Sequence, residues 1–395
     1  MQLKLIIDYL ESVAPTQYQE SYDNSGLIVG EKSTEVTGII VSLDCTEEII
    51  QEAISEKCNL IVAHHPIIFG GMKRFNNANY VQRTVQLAIK NDIAIYAIHT
   101  NLDNVYTNGV NTKIAEKLGL INTRILRPKT NTLLKLITYC PVDDQSKILD
   151  ALFAAGAGNI GNYSDCSFST NGIGTFKPEG GSNPTVGTVG KRSNEQESKI
   201  EVIVPADLQN QVITQLISVH PYEEVAYDWY PILNSNQFVG AGIVGDLPSP
   251  ISSSLFLNLL KKEMNLEVIK YTPISKNIQR VSICGGSGQF LIEDAKRSNS
   301  DGYVTSDIKY HEFRTSDADE FIIADLRDPV KVDVISVGSK AKSDFKTSII
   351  SSMFLGLSLT LCSTKLVNSL WSSLFAASNI SYMIRLVSLT KDPFS

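Results

Sequence analysis

Short apolar runs alternate with amphipathic segments along the first third of the chain. Apolar runs at 38–43, 59–63 and 93–98 have the composition of strands buried on both faces of a sheet. Between them, the apolar residues of 47–57 and of Tyr80–Lys90 recur at helical spacing. Strands separated by helices make a parallel sheet with right-handed connections. This part of the chain is therefore predicted to be α/β.

The pattern changes near residue 128 and returns later. Residues 133–139, 199–205 and 225–232 are predicted strands, 144–154 and 206–218 predicted helices, and 156–194 is a tract rich in Gly, Ser, Asn and Pro, predicted to be loop. This order is typical of a ferredoxin-like α+β module. Strand, helix and strand then resume at 281–284, 289–298 and 302–305. An insert that interrupts one α/β lobe explains both changes.

We therefore expect an α/β protein whose N- and C-terminal halves form one parallel-sheet, metal-binding lobe, interrupted by a ferredoxin-like insert. The predicted boundaries are 1–127 for the first half of the lobe, 128–235 for the insert, 236–328 for the second half and 329–395 for an atypical tail. A chain of 395 residues agrees with more than one domain.

Composition narrows the class of protein. The chain is 43% hydrophobic and 19% charged, as is ordinary for soluble proteins, and its net charge of −7 argues against nucleic-acid or membrane partners. The six cysteines show no CxxC spacing, so neither a zinc knot nor a disulfide framework is indicated. The N-terminus has the pattern of an amphipathic helix and not of a signal peptide. A cytoplasmic location is expected.

Metal-capable side chains follow the predicted strands. Asp44, His64, His65 and His99 each come just after a strand, where ligands gather in parallel sheets, and Asp103 lies four residues after His99. Neighbouring side chains on a strand point to opposite faces, so the adjacent histidines are expected to approach two ions, about 3.5–4 Å apart, and not one. Asp103 could bridge both ions, while His99 could ligate or orient a ligand. The alternative is that the histidines only cap a strand through hydrogen bonds.

Several motifs share their order and spacing with one family. They are residues 23–30 (DNSGLIVG), 42–44 (SLD), 63–69 (AHHPIIF), 99–103 (HTNLD), 109–111 (GVN), 285–288 (GGSG) and 303–311 (YVTSDIKYH). In these motifs the chain resembles the NGG-interacting-factor-three-like family, whose members are often called GTP cyclohydrolase I type 2 homologs. The resemblance covers most of residues 1 to about 325. Residues 220–228 (HPYEEVAYD) are similar to the CutA-like or PII-like central module of the long-form members.

The resemblance implies a function and a ligand set. It implies two divalent metal ions per subunit, with His64, His65 and Asp103 matching family ligands, and a homo-oligomer, commonly a hexamer. The metal is zinc, iron, manganese, cobalt or nickel, since imidazole and carboxylate suit all of them. The leading function is hydrolysis of a nucleotide or phosphate ester, and the small-molecule substrate is not identified by the sequence. His99 would orient ligands or carry a proton.

The end of the chain departs from the family pattern. A Gly-His-x-x-x-Glu element completes the family's metal site, but Asp328 and Val332 stand where its histidine and glutamate belong. The sequence after about residue 325 is therefore interpreted as foreign to the family, through a frameshift or misassembled reading frame. The uncharged segment 347–364 approaches membrane-spanning length, but its serines and threonines disfavour insertion. The loss of ligands favours the alternative function, a non-catalytic oligomeric scaffold or regulatory protein whose metal is structural.

Three weaker signals have structural alternatives. Residues 285–288 could hold a phosphate on backbone N–H groups or form a tight packing turn. Residues 190–192 (GKR) lack the other positions of a P-loop, so nucleotide hydrolysis by that motif is rejected. His311 is more typical of a packed or capping residue than of a proton carrier.

Overall fold

The chain forms two compact units. The computed structural model describes residues 1–272, 276–309, 311, 313, 321–326 and 383–384. One unit comprises Met1–Arg127 and Gly240–Ser395, and the other comprises Pro128–Val239. The architecture is mixed α/β with three sheets among the described residues.

Helices and strands alternate along most of the described chain. The α-helices are α1 (Leu3–Val13), α2 (Glu47–Ser55), α3 (Tyr80–Lys90), α4 (Thr100–Asp103), α5 (Val110–Lys117), α6 (Gln145–Ala154), α7 (Gln209–Val219), α8 (Ser253–Glu263) and α9 (Ile292–Arg297). The strands are β1 (Gly26–Val29), β2 (Ile39–Ser42), β3 (Leu60–Ala63), β4 (Ala94–Ala97), β5 (Ile121–Pro128), β6 (Leu133–Pro141), β7 (Ser167–Phe176), β8 (Ser193–Pro205), β9 (Tyr227–Pro231), β10 (Gly240–Ser252), β11 (Lys270–Tyr271), β12 (Asn277–Ser287), β13 (Gly302–Ser306), β14 (Ile322–Asp325) and β15 (Met383–Ile384).

The first sheet has the order β1-β4-β3-β2-β15, and its three central strands run parallel. Every residue of β2, β3 and β4 is buried, as expected for strands covered on both faces. A core cluster joins β3 and β4 to α2 and α3 and includes Ile50, Ile61, Val85 and Ile95. The strand predictions at 38–43, 59–63 and 93–98 and both helix predictions between them are confirmed, with ends shifted by one or two residues.

The register of these strands aligns their carboxyl ends. Ser42 lies beside Ala63, and Ala63 lies beside Ala97. These three residues end β2, β3 and β4. The segments that leave the strands therefore begin at one edge of the sheet.

The second sheet of this unit has the order β11-β14-β13-β12-β10-β5. Strands β12, β13 and β14 pair in parallel, while β10 and β11 are antiparallel to their neighbours β12 and β14. Helix α5 packs against β12 and β10. The Asn111 side chain on α5 accepts a hydrogen bond from Gly285 N at 2.7 Å, which ties the two halves of the chain together.

The unit of residues 128–239 contains the element order β6-α6-β7-β8-α7-β9 and one antiparallel sheet, β7-β8-β6-β9. Leu136, Leu152, Val202 and Leu216 join its sheet and helices in one core. The prediction that 156–194 is a loop tract is wrong for β7, which pairs along its length with β8. Strand β7 is an edge strand whose side chains are mostly exposed, so it lacks the buried alternating residues by which a strand is recognised in sequence.

Candidate metal centre

The histidine cluster, which we define as His64, His65 and His99, lies at the aligned carboxyl ends of β3 and β4. His64 and His65 directly follow β3, and His99 comes two residues after the end of β4. The ring centroid of His64 lies 5.0 Å from that of His65 and 5.1 Å from that of His99. The centroids of His65 and His99 are 5.4 Å apart. One ligand atom from each ring lies within 4.8 Å of the other two.

The His64 ring is fixed by a backbone acceptor. Its Nδ1 lies 2.8 Å from the carbonyl oxygen of Ile98, and the side chain is completely buried. A carbonyl oxygen can only accept, so Nδ1 carries the proton and donates. In the neutral ring Nε2 then holds the lone pair.

Carboxylates fix the other two rings in the same way. His65 Nδ1 lies 2.8 Å from Asp44 Oδ1, and His99 Nδ1 lies 2.8 Å from Asp23 Oδ1. Ionised carboxylates only accept hydrogen bonds, so both rings donate through Nδ1. In all three imidazoles Nε2 is therefore the ring nitrogen that carries the lone pair when the ring is neutral.

Asp23 is the most strongly held of these acceptors. Its side chain is fully buried and accepts hydrogen bonds from Thr100 N at 3.0 Å, from the Thr100 hydroxyl and from Ser25 Oγ at 3.0 Å. Burial by itself would raise the pKa of Asp23, but the hydrogen bonds from His99 and Thr100 outweigh burial and hold this pKa well below its ordinary value. Asp23 is thus an ionised acceptor for His99 across the physiological pH range.

The donor set fits a transition-metal cation. One imidazole nitrogen from each of the three rings lies within 4.8 Å of the other two, and imidazole is a ligand that zinc, iron, cobalt and nickel accept. Carboxylate or carbonyl partners on the opposite ring nitrogen are the usual outer contacts of metal-binding histidines. The cluster therefore has both the ligand atoms and the supporting hydrogen bonds of a metal centre.

Asp103 lies close by but outside that group. It ends α4, and its carbonyl oxygen accepts a hydrogen bond from Asn111 Nδ2 at 2.9 Å. Among the described residues, the set whose ligand atoms fall within 4.8 Å contains His99 and not Asp103. The Asp103 charge acts on Tyr22, whose pKa is raised first by burial and then by Glu20, Asp23 and Asp103.

The two adjacent histidines approach each other more closely than strand geometry suggested. The alternation of side chains applies inside a strand, but β3 ends at Ala63, so His64 and His65 lie beyond it. Their ligand atoms can therefore converge, and the number of ions they hold is not set by alternation. Sequence reasoning assigned no role to Asp23, although the DNSG segment that contains it was one of the recognised motifs.

The weaker sequence signals occupy structural positions. In the glycine segment 285–288, Gly285 N donates to Asn111, and Gly288 O accepts from Tyr303 Oη at 2.7 Å. A Cβ at Gly288 would overlap Thr305 and Tyr303, so the segment is tightly packed. Residues 285–287 end strand β12, where its register with β13 shifts, and do not form the predicted turn. His311 is exposed, so it is not a packed residue, and a capping role stays a prediction.

Several predictions concern the C-terminal region. Asp328, Val332 and the segment 347–364 lie outside the described residues. None of the helices in the part of the chain that the structure describes combines the length and apolar character needed to cross a bilayer.

Comparison with known proteins identifies relatives of this chain. A Bacillus subtilis (strain 168) protein named GTP cyclohydrolase 1 type 2 homolog is 38% identical over 308 residues, which cover 78% of this chain and 82% of that protein. A protein of the same name from Staphylococcus aureus (strain MRSA252) is 35% identical over 314 residues, covering 79% and 85% of the two chains.

Solved structures give the same relationship. The crystal structure of a Bacillus cereus protein related to NIF3 matches with a TM-score of 0.77 at 34% identity, covering 91% of this chain and 94% of that chain. A Staphylococcus aureus crystal structure matches with a TM-score of 0.66 at 26% identity, covering 92% and 93%. The sequence model of the family described as Duf34/NIF3 (NGG1p interacting factor 3) matches residues 1–327. Since that match spans most of the chain and includes every motif around the histidine cluster, the chain belongs to the Duf34/NIF3 family.

Proposed function

We propose that this chain is a divalent-metal-dependent hydrolase of a nucleotide or another phosphate ester. The observation that carries the proposal is the histidine cluster, in which each ring donates through Nδ1 and one ligand atom of each ring lies within 4.8 Å of the other two. His64, His65 and Asp103 would hold two divalent ions, and His99, fixed by Asp23, would ligate an ion, orient a ligand or carry a proton. When bound, such ions supply Lewis acidity that lowers the pKa of water and polarises a substrate oxygen.

A cavity beside the cluster supports an anionic substrate. It has a volume of about 570 Å³ and is lined by residues 66–74 and 79–82. Phe69 joins it to the cluster, because its ring centroid lies 5.8 Å from that of His99. The lining, drawn from the described residues, includes Lys73 and Arg74 and no carboxylate. Two cations in a lining without carboxylates are suited to a phosphate group.

A second candidate function is a non-catalytic oligomeric scaffold or regulatory protein with structural metal. The observation that favours it is the replacement of the family's Gly-His-x-x-x-Glu element, where Asp328 and Val332 stand. Valine offers no ligand atom, so the second ion would lose a ligand. A site that lacks one of its ligands can hold a single structural ion more readily than a catalytic pair of ions.

Metal analysis combined with activity measurement separates the two functions. We expect two metal ions per subunit by elemental analysis, turnover on a panel of nucleotides and phosphodiesters, and loss of both ion content and turnover in His65→Ala. His220→Gln is the matched control, since His220 lies in the other unit and glutamine retains a donor for its contact with the Tyr139 carbonyl. Zero or one ion per subunit and no turnover on the panel would support the scaffold.

The proposal extends to the domain architecture and the oligomeric state. We infer that residues 128–235 are a ferredoxin-like, CutA-like insert that interrupts a metal-binding lobe, which the βαββαβ element order and the strand order β7-β8-β6-β9 support. The family resemblance supports a cytoplasmic homohexamer, which size-exclusion chromatography with light scattering would test.

The tail after residue 328 is proposed to be foreign to the family. The family match ends at residue 327, which supports that boundary. Sequencing the transcript across codons 320 to 335 tests it, because an intact frame shared by related strains is incompatible with a frameshift.

A further inference from the structure

A second cavity lies wholly within the unit of residues 128–239. Its volume is about 510 Å³, within the range of small-molecule sites. The end of β7 and the segment that follows it form one side, residues 222–226 form another, and Tyr139 and Glu197 come from β6 and β8. None of its lining residues belongs to the unit that contains the histidine cluster.

The walls of this cavity are largely aromatic and apolar. Phe176 and Tyr222 lie with ring centroids 6.3 Å apart, and Tyr139, Pro178 and Pro184 extend the apolar surface. Tyr222 is fixed at its backbone, because its N–H donates to His220 Nδ1 at 3.1 Å, and His220 Nε2 donates to the Tyr139 carbonyl at 3.0 Å. Aromatic faces held in place in this way attract cations as well as apolar groups.

The charges of the cavity are mainly negative. Its lining contains the four carboxylates of Glu179, Glu197, Glu223 and Glu224 and one cation, Lys177. Lys177 Nζ pairs with Glu179 at 3.1 Å, which leaves an excess of carboxylates over cations. Carboxylates set among aromatic walls favour a ligand that carries positive charge.

Glu197 is positioned by one hydrogen bond and by the space beside a glycine. The Tyr222 hydroxyl donates to its carboxylate, and burial followed by this hydrogen bond raises the pKa of Tyr222, so the phenol remains a donor. A methyl group at Gly174 on β7 would overlap the Glu197 carboxylate. The glycine thus leaves space for this carboxylate inside the cavity.

A single metal ion does not fit this arrangement. Among the described residues, the histidine cluster is the group of three or more His, Cys, Asp or Glu side chains whose ligand atoms converge, and the four glutamates do not form another. Their carboxylates are spread around a cavity that is large compared with an ion. We propose that this cavity binds an organic cation, namely a primary amine or guanidinium group carried on an aromatic or apolar body.

Three indole compounds that differ in charge test the proposal on the full chain. Tryptamine is cationic, tryptophol is neutral and indole-3-acetate is anionic, and all three carry the same ring. By isothermal titration calorimetry we expect tryptamine to bind about tenfold more tightly than tryptophol, and indole-3-acetate not to bind measurably. Equal affinities for the three compounds, or no binding of tryptamine, would overturn the proposal.

Carboxylate variants locate the bound amine. Glu197→Gln keeps an acceptor for the Tyr222 hydroxyl and Glu224→Gln changes an exposed side chain, so both variants are expected to fold. Each should weaken tryptamine binding about three- to tenfold. Asp150→Asn is the control, because Asp150 is exposed on α6 outside the cavity, and it should leave the affinity for tryptamine unchanged. Unchanged affinity in both glutamine variants would contradict the proposed site.

The test also separates this site from its alternatives. His65→Ala removes a cluster ligand and should leave tryptamine binding intact, because the cavity shares no residue with the cluster. Loss of tryptamine binding in His65→Ala would count against an independent site. If Glu197→Gln and Glu224→Gln change the oligomeric mass while tryptamine fails to bind the wild type, the cavity holds a segment of a second copy and the proposal is wrong.

Discussion

Each imidazole of the histidine cluster has its own acceptor for the Nδ1 proton, and the three acceptors differ in their surroundings. His64 uses the Ile98 carbonyl, which no side-chain substitution removes. Asp44, the partner of His65, is 50% exposed, whereas Asp23, the partner of His99, is fully buried. The supporting contacts of the cluster are therefore expected to contribute unequally to ion binding.

Asp23→Asn should lower metal affinity about 10- to 100-fold, and Asp44→Asn should lower it less. The buried carboxylate is held by Thr100 and Ser25 and cannot be replaced by water, while solvent can substitute for Asp44 at its exposed edge. Competition titration with a fluorescent zinc chelator at neutral pH measures both affinities. Matching thermal unfolding temperatures would show that the variants are folded, and equal effects in the two variants would contradict the expected order.

At the scale of elements, Asp301 connects β12 to the start of β13. Its Oδ2 accepts hydrogen bonds from Gln279 N and Arg280 N, each at 2.9 Å, and Oδ1 pairs with Lys276 Nζ at 3.0 Å. Burial by itself would raise the pKa of Asp301, but these donors together lower it. A carboxyl group whose pKa is lower in the folded than in the unfolded chain stabilises the folded chain at pH values above its pKa in the unfolded chain.

Asp301→Asn is expected to reduce the free energy of unfolding by about 1 kcal/mol at pH 7, since charged acceptors form stronger hydrogen bonds than neutral ones. The stabilisation is complete above the ordinary aspartate pKa of about 3.9 and is lost as the pH falls below it toward the lower folded pKa. The difference between wild type and variant should therefore shrink below about pH 4.

Urea titrations at several pH values measure this difference. Asp150→Asn is the control, because Asp150 is exposed and belongs to the other unit. A difference for Asp301→Asn that stays constant from pH 7 to pH 3 would show that its charge does not stabilise this turn.

Elements were predictable from sequence where their buried residues form a continuous apolar run or recur at a regular spacing. Strands β2, β3 and β4 are continuous apolar runs, and α2 and α3 have one apolar face, so local pattern was sufficient. Strand β7 and helix α4 were missed. The first is held by backbone pairing to β8, and the second has only four residues, so neither has a hydrophobic period to detect.

At the scale of the whole molecule, Asn111 connects the two halves of the unit that contains the histidine cluster. The residue is 2% exposed, donates to the Asp103 carbonyl at 2.9 Å and accepts from Gly285 N at 2.7 Å, across 174 residues of sequence. Removal of the side chain would leave a partly buried donor, Gly285 N, and a partly buried acceptor, the Asp103 carbonyl, without this partner.

Asn111→Ala should therefore lower the free energy of unfolding by about 2–3 kcal/mol. Urea denaturation followed by circular dichroism measures it. Glu116→Ala, on the same helix, removes only an exposed ion pair with Lys113 and should change stability by less than about 0.5 kcal/mol. Similar midpoints for the two variants would show that the contact between the halves contributes little.

The sequence by itself determined the α/β character, the histidines at the strand ends and the family, because periodicity and motif spacing are local properties of the chain. Only the tertiary structure decided how the rings are arranged. It brought His99 into a group with His64 and His65, supplied Asp23 as a buried acceptor and left Asp103 at the side. These relations depend on strand register and on contacts between residues distant in sequence, since Asp23 and His99 are separated by 76 positions. No local pattern encodes such contacts.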